Sequence, residues 1–388
     1  MKKALIVGGS NGIGLAIANK LMLNGYYVII ADKKEPDILL NDNNSYTYYF
    51  CDLLDFDDKF FEDLSNDESI DVLMITAGFG RVANFEFIHQ AEISNMFQVN
   101  AASCIKILSY FYKRIKSSEK FYCGIMGSIA GFVSSPLFAL YAATKASICR
   151  FIESVNIELE ASGIKNRILN ISPGSIKGTA FNGDKTDLKM LGNLTDEILE
   201  RLYNSDELYI PEYDNIYKNV IERYKLDAHD YGMDSYSYKI RSGRIQNEKK
   251  VCIGYLSGTF DLFHIGHLNL LRNAKRLCDY LIVGVHPDAS HKNKEAFIPF
   301  EERKEIVASC KYVDKVVDSC SEDSDAWSLY NYNKLFVGSD YKDTDRFSRY
   351  EEFFKNKNVE IIYLPYTKNT NSTQIRRAIA VSNFIEDK

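Results

Sequence analysis

The sequence lacks the features that mark exported, membrane-spanning and nucleic-acid-binding proteins. No stretch of 18 apolar residues occurs in it, which excludes a membrane-spanning helix of ordinary length. Its start, two lysines before a short apolar run broken by glycines, is not typical of a secretory signal peptide. The 47 Lys and Arg residues are outnumbered by 53 Asp and Glu, so the net charge of -6 provides no overall attraction for nucleic acid or anionic lipid. We therefore expect a cytoplasmic protein that acts on small molecules.

Paired cysteine spacings are also missing, and proline and glycine are scarce. The eight cysteines include no CxxC pair and no spacing typical of a zinc or disulfide framework, which favours reduced thiols in a cytosol. With 7 Pro, 22 Gly and 46% hydrophobic residues, the chain is not broadly disordered. Its 388 residues, at about 150 per domain, predict two or three domains.

The hydrophobic pattern predicts two α/β domains. In the first, at 1–231, short apolar runs alternate with segments of helical period, which is typical of a doubly wound parallel sheet. The periodicity weakens after Gly178, and we predict a mobile substrate lid over about 179–230 and a linker over 232–249. A second, smaller alternation of strands and helices follows at 250–388. The predicted helices include 13–23, 92–115, 140–161, 266–277, 300–310 and 373–380.

A glycine-rich turn follows the first predicted strand. Gly8, Gly12 and Gly14 lie where this strand ends and a helix begins, so the backbone is able to approach a pyrophosphate at the helix N-terminus. Tight packing of the turn is the alternative explanation. Asp32 ends the second predicted strand, where a carboxylate accepts hydrogen bonds from an adenosine ribose, while Lys33 is placed to meet a 2′-phosphate. The pattern predicts a dinucleotide site and leaves NAD and NADP open.

A tyrosine and a lysine four residues apart predict the chemistry of this site. Tyr141 and Lys145 share one helix face, so we expect the ammonium to lower the pKa of the phenol. Such a phenol donates a proton to a carbonyl oxygen as hydride arrives at carbon, and Ser128, at a strand end, would hold that oxygen. An ordinary half-exposed helical pair is the alternative for the spacing alone.

Several motifs, all in family order, make the first domain resemble the short-chain dehydrogenase/reductase family. They are GGSNGIG at 8–14, Cys51-Asp52, Thr76-Ala77-Gly78, Asn100, Ser128, the Tyr141 to Lys145 motif and Pro173-Gly174. The sequence departs from the family's usual Thr at Val7 and from its usual Asn at Thr76.

This resemblance implies a Rossmann fold and an oxidoreductase that uses NADH or NADPH. It implies that Asn100 supports a proton-relay water, that Asp52 contacts the adenine, and that Lys145 also binds the nicotinamide ribose. The implied catalytic residues are Asn100, Ser128, Tyr141 and Lys145. The implied cofactor-binding residues are Gly8, Ser10, Asn11, Gly12, Ile13, Gly14, Asp32, Lys33, Asp52, Leu53, Ala77, Gly78, Asn100, Tyr141, Lys145, Pro173 and Gly174.

Two histidines predict a phosphate site in the second domain. His264 and His267 are three residues apart with Gly266 between them, at the point where the domain's first strand leads into a helix. Both imidazoles therefore face one ligand at a helix N-terminus, where backbone N–H groups already favour anions. Zinc is one alternative, although no cysteine or carboxylate lies at ligand spacing nearby, and two satisfied core histidines are another.

The run GTFDLFHIGHLNLLRNAK resembles the HxGH nucleotidyltransferases of the glycerol-3-phosphate cytidylyltransferase type, over about residues 250–380. Glu302-Arg303-Lys304 and the segment from Thr367 to Thr373 support the resemblance, whereas Tyr366, Asn369 and Thr370 depart from the family's RTxGISTT segment. The resemblance implies a Rossmann-like fold, His264 and His267 as catalytic residues, and no bound metal other than Mg²⁺ with CTP. The implied nucleotide-binding residues are Gly258, Thr259, Phe260, His264, His267, Lys292, Lys294, Arg303, Asp340, Thr367, Ser372 and Thr373.

A reductase and a nucleotidyltransferase on one chain suggest a shared metabolite. Reducing the ketone of an open-chain sugar phosphate yields an alditol phosphate, which has no anomeric carbon, so its phosphate must carry the activation. We therefore hypothesise a bifunctional enzyme that makes a CDP-alditol, such as CDP-glucitol or CDP-ribitol, from a ketose phosphate, CTP and NADH or NADPH. Its product would serve capsule, lipopolysaccharide or teichoic-type polymer synthesis.

Other functions are compatible with the same motifs. The two domains could use ATP or another phosphorylated alcohol, or the first domain could be only a nucleotide sensor or a dimerisation module. The order of the two steps stays open. Both family resemblances imply a homo-oligomer, either a dimer or a tetramer, without nucleic-acid or membrane partners.

Overall fold

The structure is a computed structural model, and it describes residues 2–36, 45–179, 181, 183–247, 251–288, 296–365 and 374–376. The chain divides into two compact units, Met1–Glu248 and Lys249–Lys388. No helix in these described ranges combines the length and the apolar composition needed to cross a membrane.

In the described residues of the first unit, seven parallel strands form one sheet. Its order is β3-β2-β1-β4-β5-β6-β7. The strands are β1 (Lys3–Val7), β2 (Tyr27–Asp32), β3 (Tyr46–Phe50), β4 (Ile70–Ile75), β5 (Tyr122–Met126), β6 (Ile168–Ile171) and β7 (Leu208–Tyr209). The predicted doubly wound parallel sheet is confirmed. The strand order reverses between β1 and β4, so the loops after these two strands border the crevice where such sheets bind ligands.

Helices cover both faces of this sheet. They are α1 (Gly12–Leu23), α2 (Asp58–Ser65), α3 (Gln90–Phe97), α4 (Ser103–Ile115), α5 (Ala139–Ala161), α6 (Leu188–Tyr203), α7 (Lys218–Leu226) and α8 (Ala228–Arg241). Successive side chains of β1 alternate between two cores, with Leu5 and Val7 in one and Ala4 and Ile6 in the other. A strand buried on both faces has no alternation of apolar and polar residues, so its sequence is a nearly continuous apolar run.

Three segments of the first unit differ from the prediction. The single helix expected over 92–115 is divided into α3 and α4 by a π-helical segment, Gln98–Ala102. The lid expected over 179–230 includes α6, whose Leu191 is buried and whose Ile198 belongs to a core cluster of the sheet, because its apolar face packs inward. The linker expected over 232–249 is helical as far as Arg241.

The second unit has a smaller parallel sheet. Its five strands within the described residues are β8 (Ile253–Gly258), β9 (Tyr280–Val285), β10 (Lys315–Asp318), β11 (Lys334–Gly338) and β12 (Glu360–Leu364), in the order β10-β9-β8-β11-β12. The helices are α9 (Ile265–Lys275), α10 (Phe300–Ala308), α11 (Asp323–Tyr330) and α12 (Asp345–Phe354). The order reverses between β8 and β11, which places the loops after these strands at the expected ligand crevice. Most of the helix predicted at 373–380 lies outside the described residues.

Candidate active sites

The glycine turn after β1 has the shape of a dinucleotide cradle. Gly8 has φ +88°, and a Cβ there would overlap the backbone nitrogen of Ala77, while a Cβ at Gly14 would overlap the Gly8 carbonyl oxygen. These two glycines are therefore required by close packing. Gly12 differs, since a Cβ there would first meet Thr179 at 3.7 Å and its positive φ of +53° is the constraint. The turn leads directly into the N-terminus of α1, and backbone N–H groups at such a terminus favour a pyrophosphate.

The carboxylates beside this turn are held by specific contacts. Asp32 accepts hydrogen bonds from the backbone N–H of Ser10 at 3.0 Å and of Lys33 at 2.7 Å. The Lys33 ammonium forms an ion pair with Asp52 at 3.0 Å. The sequence pattern did not reveal this pairing, which engages the one cation predicted to meet a 2′-phosphate.

Tyr141 and Lys145 are both buried near the carboxyl end of β5. Tyr141 is 7% exposed and lies near Ser128, while Lys145 is 2% exposed and donates to the Met126 carbonyl oxygen at 2.6 Å. The Lys145 Nζ lies 5.7 Å from the centre of the Tyr141 ring. The structure thus brings Ser128, Tyr141 and Lys145 together, and the alternative of a half-exposed surface pair is wrong.

The predicted electrostatic effect of Lys145 on Tyr141 is not observed. Burial raises the pKa of Tyr141, the hydrogen bond with Ser128 partly opposes this, and Cys149 adds to the increase. Burial also lowers the pKa of Lys145. The expectation of a phenol made acidic by its neighbouring ammonium is wrong here, because desolvation outweighs an attraction that Lys145 directs mainly to a backbone carbonyl.

Asn100 lies in the π-helical segment and connects the loop after β4 to α5. Its Oδ1 accepts from the Phe79 N–H at 3.0 Å, and its Nδ2 donates to the Phe79 carbonyl at 2.8 Å and to Thr144 Oγ1 at 3.1 Å. A Cβ at Gly78 would lie 3.3 Å from Asn100 Oδ1 and 3.4 Å from Lys145 Nζ. The extra residue of a π-bulge is often found at functional sites. The role of Asn100 in holding a relay water stays a prediction.

Aromatic residues around Tyr141 were not identified from the sequence. Phe138 stacks on Tyr141 with ring centres 4.3 Å apart, and Phe181 lies 5.3 Å away. On another side, a Cβ at Gly80 would lie 2.5 Å from Tyr141 Cδ2. Phe138 is only three residues from Tyr141, a helical spacing that was available as a signal, whereas the approach of Phe181 and Gly80 depends on the fold.

Two further residues of the predicted lid contact the cofactor loops. The Thr186 hydroxyl accepts from the Gly12 N–H at 2.8 Å, so the segment before α6 lies against the glycine turn. A Cβ at Gly174 would overlap the Tyr217 hydroxyl, so Tyr217 lies directly against the Pro173-Gly174 backbone. No local pattern marks either residue, because both contacts join distant parts of the chain.

In the second unit, His264 and His267 stack at the start of α9. Their ring centres are 4.0 Å apart with an interplanar angle of 23°, and Phe260 and Phe263 pack against His267 at 5.3 and 5.5 Å. The His264 Nδ1 accepts from the Gly266 N–H at 3.0 Å, so in the neutral ring the proton is on Nε2. Burial lowers the pKa of His264, which favours this neutral form. The ring thereby carries its N–H at the start of α9.

The loop that precedes the two histidines is strained and tightly held. Phe260 and Leu262 have φ of +52° and +49°, a region that costs non-glycine residues energy and occurs often at functional sites. Between them, Asp261 accepts from the backbone N–H groups of Phe297 at 3.1 Å and Ile298 at 3.0 Å, and pairs with Arg376. Asp261 was not predicted as a site residue, and these contacts assign it a positioning role.

Arg303 was predicted to bind phosphates, and the structure contradicts this. The side chain is 1% exposed and donates four hydrogen bonds to backbone carbonyls: those of Ile298 at 2.9 Å, Thr259 at 2.5 Å, and His286 and Pro287 at 2.8 Å each. Its donors are therefore directed at the chain itself. Arg303 holds together the loops that surround the phosphate turn.

The other predicted nucleotide-binding residues divide into two groups. Gly258 is the last residue of β8, and a Cβ there would lie 3.0 Å from the Phe260 ring. Thr259 follows Gly258, and the Thr259 hydroxyl has no hydrogen-bond partner among the described residues. Asp340 is exposed in the 3-10 turn Ser339–Tyr341 after β11. The rest lie outside the described residues: Lys292, Lys294, Thr367, Ser372 and Thr373, as do the departures Tyr366, Asn369 and Thr370.

Comparisons with known proteins match each unit separately. A family model of short chain dehydrogenases matches residues 2–189, and a cytidylyltransferase-like model matches residues 255–378. Glycerol-3-phosphate cytidylyltransferase of Bacillus subtilis (strain 168) is 36% identical over 127 residues, which are 32% of this chain and 93% of that protein. An uncharacterised oxidoreductase of Staphylococcus epidermidis is 25% identical over 222 residues, or 54% of this chain and 95% of that protein.

Among solved structures, a short-chain dehydrogenase from Sphingobium yanoikuyae in complex with NADPH is similar with a TM-score of 0.47 and 20% identity. The similarity covers 63% of this chain and 96% of that one.

Together, the fold and the matches define a protein that carries two enzyme classes, an oxidoreductase domain followed by a nucleotidyltransferase domain. The chain belongs to the short-chain dehydrogenase family in its first unit and to the cytidylyltransferase-like family in its second. Both predicted resemblances are confirmed.

Proposed function

We propose that this chain converts a ketose phosphate into a CDP-alditol, with one step catalysed by each unit. The observation that carries the proposal is the presence, on one polypeptide, of a buried Tyr141 close to a buried Lys145 and of His264 stacked on His267 at a helix N-terminus. The first arrangement supports carbonyl reduction. The second supports attack on a nucleoside triphosphate.

In the reductase step, the ketone gains a hydride at carbon and a proton at oxygen. A nicotinamide cofactor, when bound against the glycine turn and Asp32, supplies the hydride. Tyr141 donates the proton to the carbonyl oxygen, and Ser128 holds the same oxygen by a hydrogen bond. Because burial raises the pKa of Tyr141, the phenol remains protonated at neutral pH and is ready to act as an acid. Lys145 contributes a buried positive charge near the phenolate that forms.

In the transferase step, a phosphate oxygen of the sugar phosphate attacks the α-phosphorus of CTP, and pyrophosphate leaves. This reaction requires alignment and neutralisation of charge rather than a covalent intermediate. His264, with its Nε2–H, and the start of α9 supply donors for the phosphate oxygens, and His267 stacks against His264. Mg²⁺ would enter with CTP. Arg303 and Asp261 keep the surrounding loops in place.

The chemistry of the product explains why the two units occur together. An alditol phosphate has no anomeric carbon, so activation through its phosphate is the available route to a donor. A CDP-alditol transfers a polyol phosphate, which is the building unit of capsule, lipopolysaccharide or teichoic-type polymers. This role of the product is part of the proposal.

Mass spectrometry of reaction mixtures tests the proposal. The full chain is incubated with CTP and Mg²⁺, with NADH or NADPH, and with fructose 6-phosphate or ribulose 5-phosphate, and each cosubstrate is omitted in turn. We expect a CDP-alditol only in the complete mixture. Accumulation of an alditol phosphate without CTP indicates that reduction comes first, whereas a CDP-ketose without NADH or NADPH indicates the opposite order. Product formation with ATP in place of CTP, or no product from any mixture, would contradict the proposal.

The contacts of Asp32 and Lys33 predict a preference for NADH. A carboxylate at the end of β2 repels the 2′-phosphate of NADPH, and the cation beside it is paired with Asp52. We expect kcat/KM for NADH to exceed that for NADPH by about tenfold or more, which corresponds to at least about 1.4 kcal/mol. The Asp32→Ala variant should lower this ratio about tenfold, while Lys33→Ala should leave NADH use unchanged. A wild-type enzyme that prefers NADPH would contradict this explanation.

A further inference from the structure

The last described residues of the first unit, 244–247, contact two loops at the reductase site. At one end of the segment 244–247, the Arg244 Nη1 lies 3.4 Å from Ser175 Oγ. At the other end, the Gln246 N–H donates to the Val82 carbonyl at 2.8 Å, and Asn247 Oδ1 accepts from the Asn84 N–H at 3.0 Å. The segment therefore joins the loop after β6 to the loop after β4.

A buried ion pair holds this segment in place. Arg81 pairs with Glu92, with its Nε 2.7 Å and its Nη2 2.9 Å from the two carboxylate oxygens, and both side chains are under 10% exposed. The same guanidinium donates to the carbonyl oxygens of Phe87 and Gln246. Because these contacts use four of its five N–H donors and its charge is paired with Glu92, Arg81 anchors the segment.

Both loops that the segment joins border the catalytic tyrosine. Ser128 Oγ donates to the Pro173 carbonyl at 3.4 Å, two residues before Ser175. On the other side, Gly80 lies against the Tyr141 ring, two residues before Val82. Arg244 therefore contacts the same loop after β6 that meets Ser128, the residue proposed to hold the carbonyl oxygen of the substrate.

Besides Arg81 and Lys145, the described cations Lys239 and Arg244 contact loops of this site, and of these two only Arg244 has unused donors. The Lys239 ammonium donates to Ser135 Oγ at 2.7 Å, to the Pro136 carbonyl at 2.9 Å and to Ser235 Oγ at 3.3 Å, which uses all three of its N–H groups. Burial lowers its pKa to about 8. Arg244 is exposed, and among the described residues its only polar contact is Ser175. No carboxylate in the described part of the chain pairs with either cation.

We propose that Arg244 binds a phosphate group of the substrate that Tyr141 reduces. A guanidinium offers paired donors that match the oxygens of a phosphate, so an arginine with unused donors beside a carbonyl site selects phosphorylated substrates. The inference rests on the proposed reduction of a ketose and adds the residue that recognises its phosphate. The group bound is either the monoester of a ketose phosphate or the diphosphate of a CDP-linked ketose, and the chemistry of recognition is the same for both.

Steady-state kinetics of the full chain tests this assignment. NADH oxidation is measured with ribulose 5-phosphate, fructose 6-phosphate, the two free ketoses and a CDP-linked ketose, for Arg244→Gln and Arg244→Lys. We expect Arg244→Gln to raise KM for the phosphorylated substrate about ten- to hundredfold, with an unchanged KM for NADH and for the free ketose. Arg244→Lys should recover part of the loss. The matched control is Arg241→Gln, which removes an exposed arginine in the last turn of α8 and should behave as wild type.

The outcomes separate this inference from the proposed function. An effect confined to the ketose phosphate identifies the monoester, and one confined to the CDP-linked ketose identifies the diphosphate. Two outcomes overturn the inference when the wild type reduces a phosphorylated ketose. In the first, Arg244→Gln has the same KM for that substrate as Arg241→Gln. In the second, Arg244→Gln affects free and phosphorylated ketoses equally. If the wild type reduces no phosphorylated ketose, the proposed function fails instead. In that case protection of Arg244 from phenylglyoxal by inorganic phosphate, followed by peptide mass spectrometry, supports the anion site, and absence of protection overturns it.

Discussion

Replacing Tyr141 with phenylalanine is expected to abolish ketone reduction and to leave cytidylyl transfer unchanged. The substitution removes only the hydroxyl, so the stacking on Phe138 and the buried position of the ring are retained. What is lost is the hydroxyl that donates the proton in the proposed reduction. General acid catalysis contributes about a hundred- to ten-thousandfold, and kcat for NADH oxidation should fall by that amount.

The pH dependence of the wild-type reductase follows from the same residue. Burial raises the pKa of Tyr141, so the phenol loses its proton only in alkaline solution. Reduction, which needs the protonated phenol, is therefore expected to continue through neutral and mildly acidic pH and to decline as the pH rises through the pKa. Oxidation of the alditol needs the phenolate and should increase over the same range.

A matched control for Tyr141→Phe is Tyr112→Phe. Tyr112 is partly buried against a core cluster of the first unit and makes no hydrogen bond through its hydroxyl among the described contacts. Its loss should leave both activities unchanged. Pyrophosphate release by the Tyr141→Phe protein shows that the second unit is intact. An unchanged reduction rate in this variant would remove Tyr141 from the proposed mechanism and favour a first unit that only senses a nucleotide.

Replacing His264 is expected to have the opposite effect, with loss of pyrophosphate release from CTP and retention of ketone reduction. Removing one preorganised donor to a phosphate that gains charge in the transition state costs about a hundred- to thousandfold in rate. His264 also caps α9, because its Nδ1 accepts from the Gly266 N–H. Alanine would lose both functions, since an N-cap contributes about 1 kcal/mol to stability.

Asparagine separates the two roles of His264. It is among the preferred N-cap residues, so His264→Asn should keep the start of α9 while removing the imidazole Nε2. The first unit provides a matched control in His89, which caps α3 through its Nδ1 and the Ala91 N–H at 3.2 Å. We expect His89→Asn to retain cytidylyl transfer. A His264→Asn enzyme with full transferase activity would contradict the catalytic assignment, whatever the result for alanine.

Local sequence patterns were sufficient to predict the architecture and the centre of each site. The central strands of both sheets are largely apolar because they are buried on both faces, and burial of this kind is encoded in each segment itself. The same holds for the glycines at 8–14, for Tyr141 with Lys145, and for His264 with His267, whose spacings along one helix or turn define their geometry.

Tertiary contacts determined what the individual side chains do. Lys145 was expected to make the Tyr141 phenol acidic, but its ammonium binds the Met126 carbonyl and desolvation raises the phenol's pKa. Arg303 was expected to bind phosphate, but four carbonyls from three separate segments use its donors. In both cases backbone groups that the fold brings to the side chain are the partners, and no spacing rule identifies them.

The sequence by itself therefore determined the two folds, their families and the residues at the centre of each site, because these depend on short-range patterns of burial and turn geometry. Only the tertiary structure placed Arg244 beside Ser175 and the Gln246 backbone beside Val82, contacts that join positions 69 and about 160 residues apart. Electrostatics depends on distance and burial in three dimensions, so the charge available to a substrate was decided by the fold rather than by composition.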